Sequence, residues 1–186
     1  MKYKILAEKP VFDQFFKINK ATIEHDQFDG SKVTIERLCF ERGDAVAVVI
    51  YEQDTDSLLF TNQFRYPSTK EGDGWVLELT AGMLEGEEDA AMRVKKEVEE
   101  EIGYRLNSPK FISSFFVSPG GTSERIFLYY AEVSSTDKLY EGGGLKAEKE
   151  DIQLVKIKRQ EVKQLLQNNQ IRDAKTIIGL QWFLMR

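Results

Sequence analysis

The 186-residue chain predicts an α+β fold in which a mixed sheet is covered by helices. Three observations carry that prediction. Short apolar runs rich in Val, Ile, Phe and Tyr, bounded by Gly, Asp and Asn, recur along most of the chain and read as strands. Helical stretches fall both between strands and after the last one, which is the order of a mixed architecture. The composition is 41% hydrophobic with only 4 prolines and no low-complexity tract, so the chain can bury a sizeable core without long linkers.

From Tyr3 to Phe40 the pattern is β throughout: KYKILAE, then FFKINKATIEHDQF, then KVTIERLCF, the last two joined by a tight turn at Asp29-Gly30-Ser31. A strand and a hairpin are expected here. A boundary falls near Arg42, so residues 1–42 form a small antiparallel β element and 43–186 the main domain. The first segment is too short to bury a core alone and must pack on the main domain or on a second subunit. Next come AVAVVIYEQ and SLLFTNQFRYP, apolar runs typical of buried strands, with a turn at Asp54-Thr55-Asp56. STKEGDGW reads as a polar loop and WVLELTAG as one short strand. A helix is predicted from about Glu88 to Ile102, with acids in its first turn and Gly103 as its stop. KFISSFFVS and ERIFLYYAEV read as strands around the loop Ser118 to Thr122. A second glycine loop, Glu141 to Gly144, leads into the strand IQLVKI. Two helices, from about Arg159 to Asn168 and Ala174 to Met185, close the chain.

Charge is concentrated rather than spread. Gly82 to Tyr104 holds eight acids against three bases, a net charge equal to the −5 of the whole protein. With 26 Lys and Arg against 31 Asp and Glu and no basic run, the electrostatic drive for binding nucleic acid polymers is missing. The single cysteine, Cys39, excludes an internal disulfide, and the opening residues lack a long apolar run, so a reducing cytoplasm is expected. His25 and Cys39 are too isolated to suggest catalysis or a zinc site.

At about 100° per residue, Ala91, Val94, Val98 and Ile102 fall within an arc of about 80° and form the buried face of the acidic helix. Glu97 and Glu101 lie along one border of that face. Glu100 sits about 60° from Glu97 on the solvent side. Like charges at this spacing repel, and a hard divalent cation such as Mg²⁺, Mn²⁺ or Ca²⁺ would offset the repulsion. The alternative is a solvated face in which Lys95 and Lys96 pair with Glu99 and Glu100.

The spacing is also that of a known pattern. Gly82, five residues, Glu88, seven residues, Lys96-Glu97-Val98, one residue, Glu100-Glu101, one residue, Gly103-Tyr104 resembles the box of the Nudix pyrophosphohydrolases, which cleave a nucleoside diphosphate linked to another group. One position departs: Lys96 stands where the family usually has arginine, keeping the charge but losing the planar fork. The likeness extends over nearly the whole chain, through Gln63-Phe64-Arg65, the run Ser118 to Arg125, GGGLKAEKEDI and IRDAKTIIGLQW, to the branch containing ADP-ribose and GDP-mannose pyrophosphatases. Pro119 resembles a feature of the former and Gly142 to Gly144 the latter.

This resemblance implies an α/β/α sandwich, a homodimer whose N-terminal strands reach across to the partner, and dependence on Mg²⁺, with Mn²⁺ as a substitute. The substrate it implies is a nucleoside diphosphate sugar, split into a nucleoside monophosphate and a sugar phosphate. It assigns Glu97, Glu101 and the backbone carbonyl of Ala81 to the metal, with Glu100 beside them both as a ligand and as a catalytic group. Glu148 matches the loop glutamate that takes a proton from water, with Glu150 and Asp151 close in sequence. Arg65 resembles the arginine that contacts the phosphates, and Glu124 a residue near the terminal sugar; either could instead belong to a structural ion pair. Glu88 is expected to brace loop and helix toward Lys96. A sensor that binds a nucleotide sugar without cleaving it is the alternative, but such sensors usually lose box glutamates that this chain retains.

Overall fold

A computed structural model describes residues 1–186, grouped into two compact units: 1–44 with 116–125, and 45–115 with 126–186. In the first unit, β1 (Tyr3–Asp13), β2 (Lys17–Asp26) and β3 (Lys32–Glu41) form an antiparallel three-stranded sheet in the order β1-β2-β3. The expected strand and hairpin are therefore one continuous meander, and β1 runs well past its first apolar stretch. All eleven residues of β1 are exposed, including Tyr3, Ile5, Leu6, Val11 and Phe12. The loop 116–125 joins this unit through Phe40 N–H donating to the Gly121 carbonyl at 2.8 Å and through Arg125, whose guanidinium holds Asp44 at 2.6 Å.

The second unit is built on a seven-stranded mixed sheet, as the strand pattern predicts. Its strands are β4 (Ala45–Glu52), β5 (Ser57–Phe64), β6 (Trp75–Glu78), β7 (Ala81–Met83), β8 (Lys110–Phe116), β9 (Arg125–Val133) and β10 (Ile152–Lys158). The main path is β10-β5-β4-β9-β8, with β4 parallel to β9 and antiparallel to β5. The helices are α1 (Ala90–Ile102), α2 (Arg159–Gln167) and α3 (Ala174–Leu184).

Strand alternation sorts the core onto two faces. Ala45, Ala47, Val49, Leu128 and Tyr130 point to the side covered by Val162 of α2 and Leu180 and Phe183 of α3. Val46, Val48, Ile50, Tyr129 and Ala131 point to the side covered by Val94, Val98 and Ile102 of α1. The result is helix, sheet, helix.

The stretch WVLELTAG departs from expectation. It is two strands, not one: β6 pairs with the second half of β5, and β7 with the first half of β4. Strands β4 and β5 pair only through Ile50 to Glu52, so beyond that point they part and the chain from 75 to 83 fills the opening. The apolar alternation of Leu77, Leu79 and Ala81 runs on through the break, and both Leu79 and Thr80 are buried as the chain crosses between partners. This crossing sets Ala81 and Gly82 against the flank of α1.

Candidate active site

Helix α1 begins two residues later than its acids suggest. Asp89 is the N-cap, its side chain accepting from the Met92 N–H at 2.9 Å, so Glu87 and Glu88 precede the helix and its first turn carries no acid. At the other end Gly103 adopts φ +72°, the left-handed conformation that closes helices, and its N–H donates to the Glu99 carbonyl at 3.0 Å. Tyr104 is fully buried beyond it and donates to the equally buried Glu52 at 2.6 Å, which Lys156 also holds at 2.8 Å. That network ties the helix exit to β4 and β10.

Glu97 and Glu101 are buried along with Val94, Val98 and Ile102, although the helical wheel puts them only at the border of the apolar face. Gly82 makes this possible. A Cβ on Gly82 would lie 1.9 Å from Glu97 Oε1, so the missing side chain is the space the carboxylate occupies. Glu97 meets Arg93 one turn earlier in a close ion contact that lacks hydrogen-bond geometry. Arg93 also lies 3.9 Å from Glu88. Lys96 is mostly exposed, its Nζ 4.0 Å from Glu100. The brace on Glu88 is thus Arg93 and not Lys96, and only the Lys96 pair of the solvated-face alternative forms.

These two carboxyls are electrostatically loaded. Burial pushes Glu97 up; Arg93 opposes the shift while Glu100 and Glu150 add to it. Glu101 is pushed well above the ordinary carboxylate range, first by burial and then by the charges of Glu97, Glu78 and Glu150, with Arg65 opposing. Glu101 Oε2 and Glu97 Oε1 are buried and receive no hydrogen bond. Unsatisfied buried carboxylate oxygens are costly, and oxygen is the donor that hard divalent cations take. The residues present therefore fit such a cation. No three acidic, histidine or cysteine side chains converge tightly enough to form a cage as they stand.

A second acid, Glu78 at the end of β6, is part of the same surroundings and has no signal in local sequence. It is buried, accepts from Arg65 Nε at 2.7 Å, and pairs closely with Lys175 of α3. Lys175 lies 3.1 Å from Asp173, the α3 N-cap, and Thr176 Oγ1 accepts from the Leu79 N–H at 2.9 Å. Arg65 is thus an ion-pair member through Nε.

The glycine loop docks on the end of α1. Gly143 N–H donates to the Glu101 carbonyl at 2.8 Å and Gly144 N–H to the Glu100 carbonyl at 3.1 Å, satisfying carbonyls a helix end leaves open. Gly142, at φ +73°, comes so close that a Cβ would sit 2.5 Å from the Glu101 oxygen. Past this contact, Glu148 ends an exposed 3₁₀ turn (Lys146–Glu148) with its carboxylate unengaged. Glu150 is half-buried, accepts from the Leu145 N–H at 2.8 Å, and faces Glu97 and Glu101 closely enough to raise both. Of the predicted residues in the second unit, the fold brings together Glu97, Glu101, Arg65 and the strand holding Ala81, with half-buried Glu100 on the next turn. Glu124 belongs to the first unit, where it is buried and lies 3.6 Å from Arg42.

Compared with protein-family models, the chain matches the NUDIX domain over residues 41–178. It is 31% identical over 185 residues to a GDP-mannose pyrophosphatase of Cronobacter sakazakii, covering 98% of this chain and 95% of that protein. A GDP-mannose pyrophosphatase of Klebsiella pneumoniae is 29% identical over 180 residues, covering 96% and 89%. Among solved structures, an ADP compounds hydrolase superposes with a TM-score of 0.74 at 20% identity, covering 97% of this chain and 91% of that one, a likeness of fold.

Proposed function

The chain belongs to the NUDIX family, and on that premise we propose that it hydrolyses the pyrophosphate of a nucleoside diphosphate sugar, of the GDP-mannose or ADP-ribose type, with a divalent cation. The observation that carries this reading is the buried Glu101 carboxylate, whose Oε2 receives no hydrogen bond, beside buried Glu97. A pyrophosphate is itself anionic and cannot approach so acidic a helix unless the charge is neutralised. Glu97, Glu101 and the Ala81 carbonyl would hold the cation, with Glu100 beside them and Glu150 adding negative charge to the same place. When bound, Mg²⁺, or Mn²⁺ in its stead, polarises the phosphoryl oxygens and helps lower the pKa of the attacking water.

Arg65, fixed through Nε, presents its terminal nitrogens to the phosphate oxygens. Glu148 accepts the proton of the attacking water as its oxygen bonds to phosphorus. The P–O bond of the bridging oxygen then breaks, releasing a nucleoside monophosphate and a sugar phosphate. The exposed apolar row of β1 supports a homodimer in which a second copy covers it. No helix is long and apolar enough to cross a membrane, and the lone cysteine supports a cytoplasmic setting.

The test is a panel of ADP-ribose, GDP-mannose, UDP-glucose and dinucleoside polyphosphates with Mg²⁺. The reading expects turnover of a nucleoside diphosphate sugar to the two monophosphates, abolished by chelator. Turnover of none of the sugars would overturn it.

A further inference from the structure

Arg93 is the basic residue of α1 that reaches the buried carboxylate of Glu97, and the box pattern assigns it nothing. Its side chain is 13% exposed, with NH2 against Glu97 Oε1 and NH1 3.9 Å from Glu88. Lys96, by contrast, is 54% exposed and 4.0 Å from Glu100. Glu97 is therefore confined from two sides: Gly82 on one, where even a Cβ would come within 1.9 Å of it, and Arg93 on the other. Glu97 Oε1 meets Arg93 in a close ion pair and has no hydrogen-bond partner besides it.

We infer that Arg93 is a positioning residue, bridging Glu88 and Glu97 with one planar fork and so holding the Glu97 carboxylate where it receives the cation. The inference rests on the cation-dependent reading above and assigns it a part that Lys96 does not perform in this fold. A bridge of this kind needs two nitrogens at fixed separation, which guanidinium has and ammonium lacks. Groups that orient a metal-binding side chain typically change affinity about 10–100-fold when removed. A role as mere counter-charge makes different predictions: lysine would serve as well, and loss of the positive charge would tighten cation binding.

The test is Mn²⁺ binding to the full-length protein, followed by electron paramagnetic resonance without substrate, for wild type, Arg93→Lys and Arg93→Gln. The bridge predicts that Arg93→Lys raises the Mn²⁺ Kd about tenfold, with the metal-free Tm within about 2 °C of wild type, so that a folding defect is not the cause. Arg93→Gln should weaken binding at least as much. Wild-type affinity in Arg93→Lys, or tighter binding in Arg93→Gln, overturns the inference while leaving the cation site itself standing. A wild-type protein that binds no Mn²⁺ would instead bring down the reading on which the inference rests.

Discussion

Two acid-bearing segments bound the site, and they are built in opposite ways. Helix α1 is anchored at every turn: Val94, Val98 and Ile102 in the core, Asp89 and Gly103 at its ends, Glu97 and Glu101 buried. The segment from Gly142 to Asp151 touches the helix through glycine N–H groups, and its 3₁₀ turn then stands in solvent with Glu148 exposed. Burial raises the affinity of a carboxylate for a proton or a cation, whereas exposure lets a carboxylate stay ionised and move. The helix is suited to holding charge and the loop to handling a proton.

The largest effect expected is from Glu101→Gln. Loss of a metal-holding carboxylate removes several kcal/mol of transition-state stabilisation, and turnover of the nucleoside diphosphate sugar should fall about 10³-fold or more. Its stability should move the other way. Because the folded-state pKa of Glu101 is raised, the native state binds the proton more tightly than the unfolded chain. That contribution is present below the ordinary glutamate value of about 4.3 and is lost as pH rises through the raised value. The metal-free wild type should therefore lose stability over that range, with a shallower slope in the Gln variant, which keeps only the raised Glu97. Denaturant melts at several pH values, in chelator, check this directly.

Next in size is Glu148→Gln, expected to lower kcat about 10²-fold, the loss typical of a missing general base, with KM little changed. Glu150→Gln should instead weaken cation binding more than it lowers kcat at saturating metal. The reverse pattern in steady-state kinetics would exchange the two roles. Gly82→Ala comes third: its backbone tolerates alanine, but the new Cβ displaces Glu97, and kcat/KM should fall at least tenfold, roughly one pK-unit equivalent of free energy. The smallest effect on chemistry should come from Gly142→Ala, where left-handed backbone and a clash with the Glu101 carbonyl cost about 1–3 kcal/mol of stability. Its thermal melt should shift while the kinetics of the folded fraction stay near normal.

Most of the helix was legible because its apolar period and its acid spacing both repeat at whole turns. Burial of Glu97 and Glu101 was not: it depends on Gly82 arriving from a strand, which the helix sequence does not encode. The Arg93 pair with Glu97 was within reach, since a base and an acid four residues apart share a helical face. Glu78 and Lys175 meet across 97 residues, with no local pattern to announce them. The break between β6 and β7 was hidden because strand alternation continues through it, and only the parting of β4 from β5 reveals it. The glycine loop was visible as a loop, while the reason for its glycines, close approach to the end of α1, required the fold.

The division of labour between helix and loop is tested most directly by calorimetric titration of Mn²⁺ into Glu101→Gln and Glu148→Gln, with turnover measured on the same samples. Both variants should be nearly inactive, but only Glu101→Gln should lose the cation, while Glu148→Gln binds it with wild-type affinity. Equal cation affinity in the two inactive proteins, or full activity in either, would contradict the assignment.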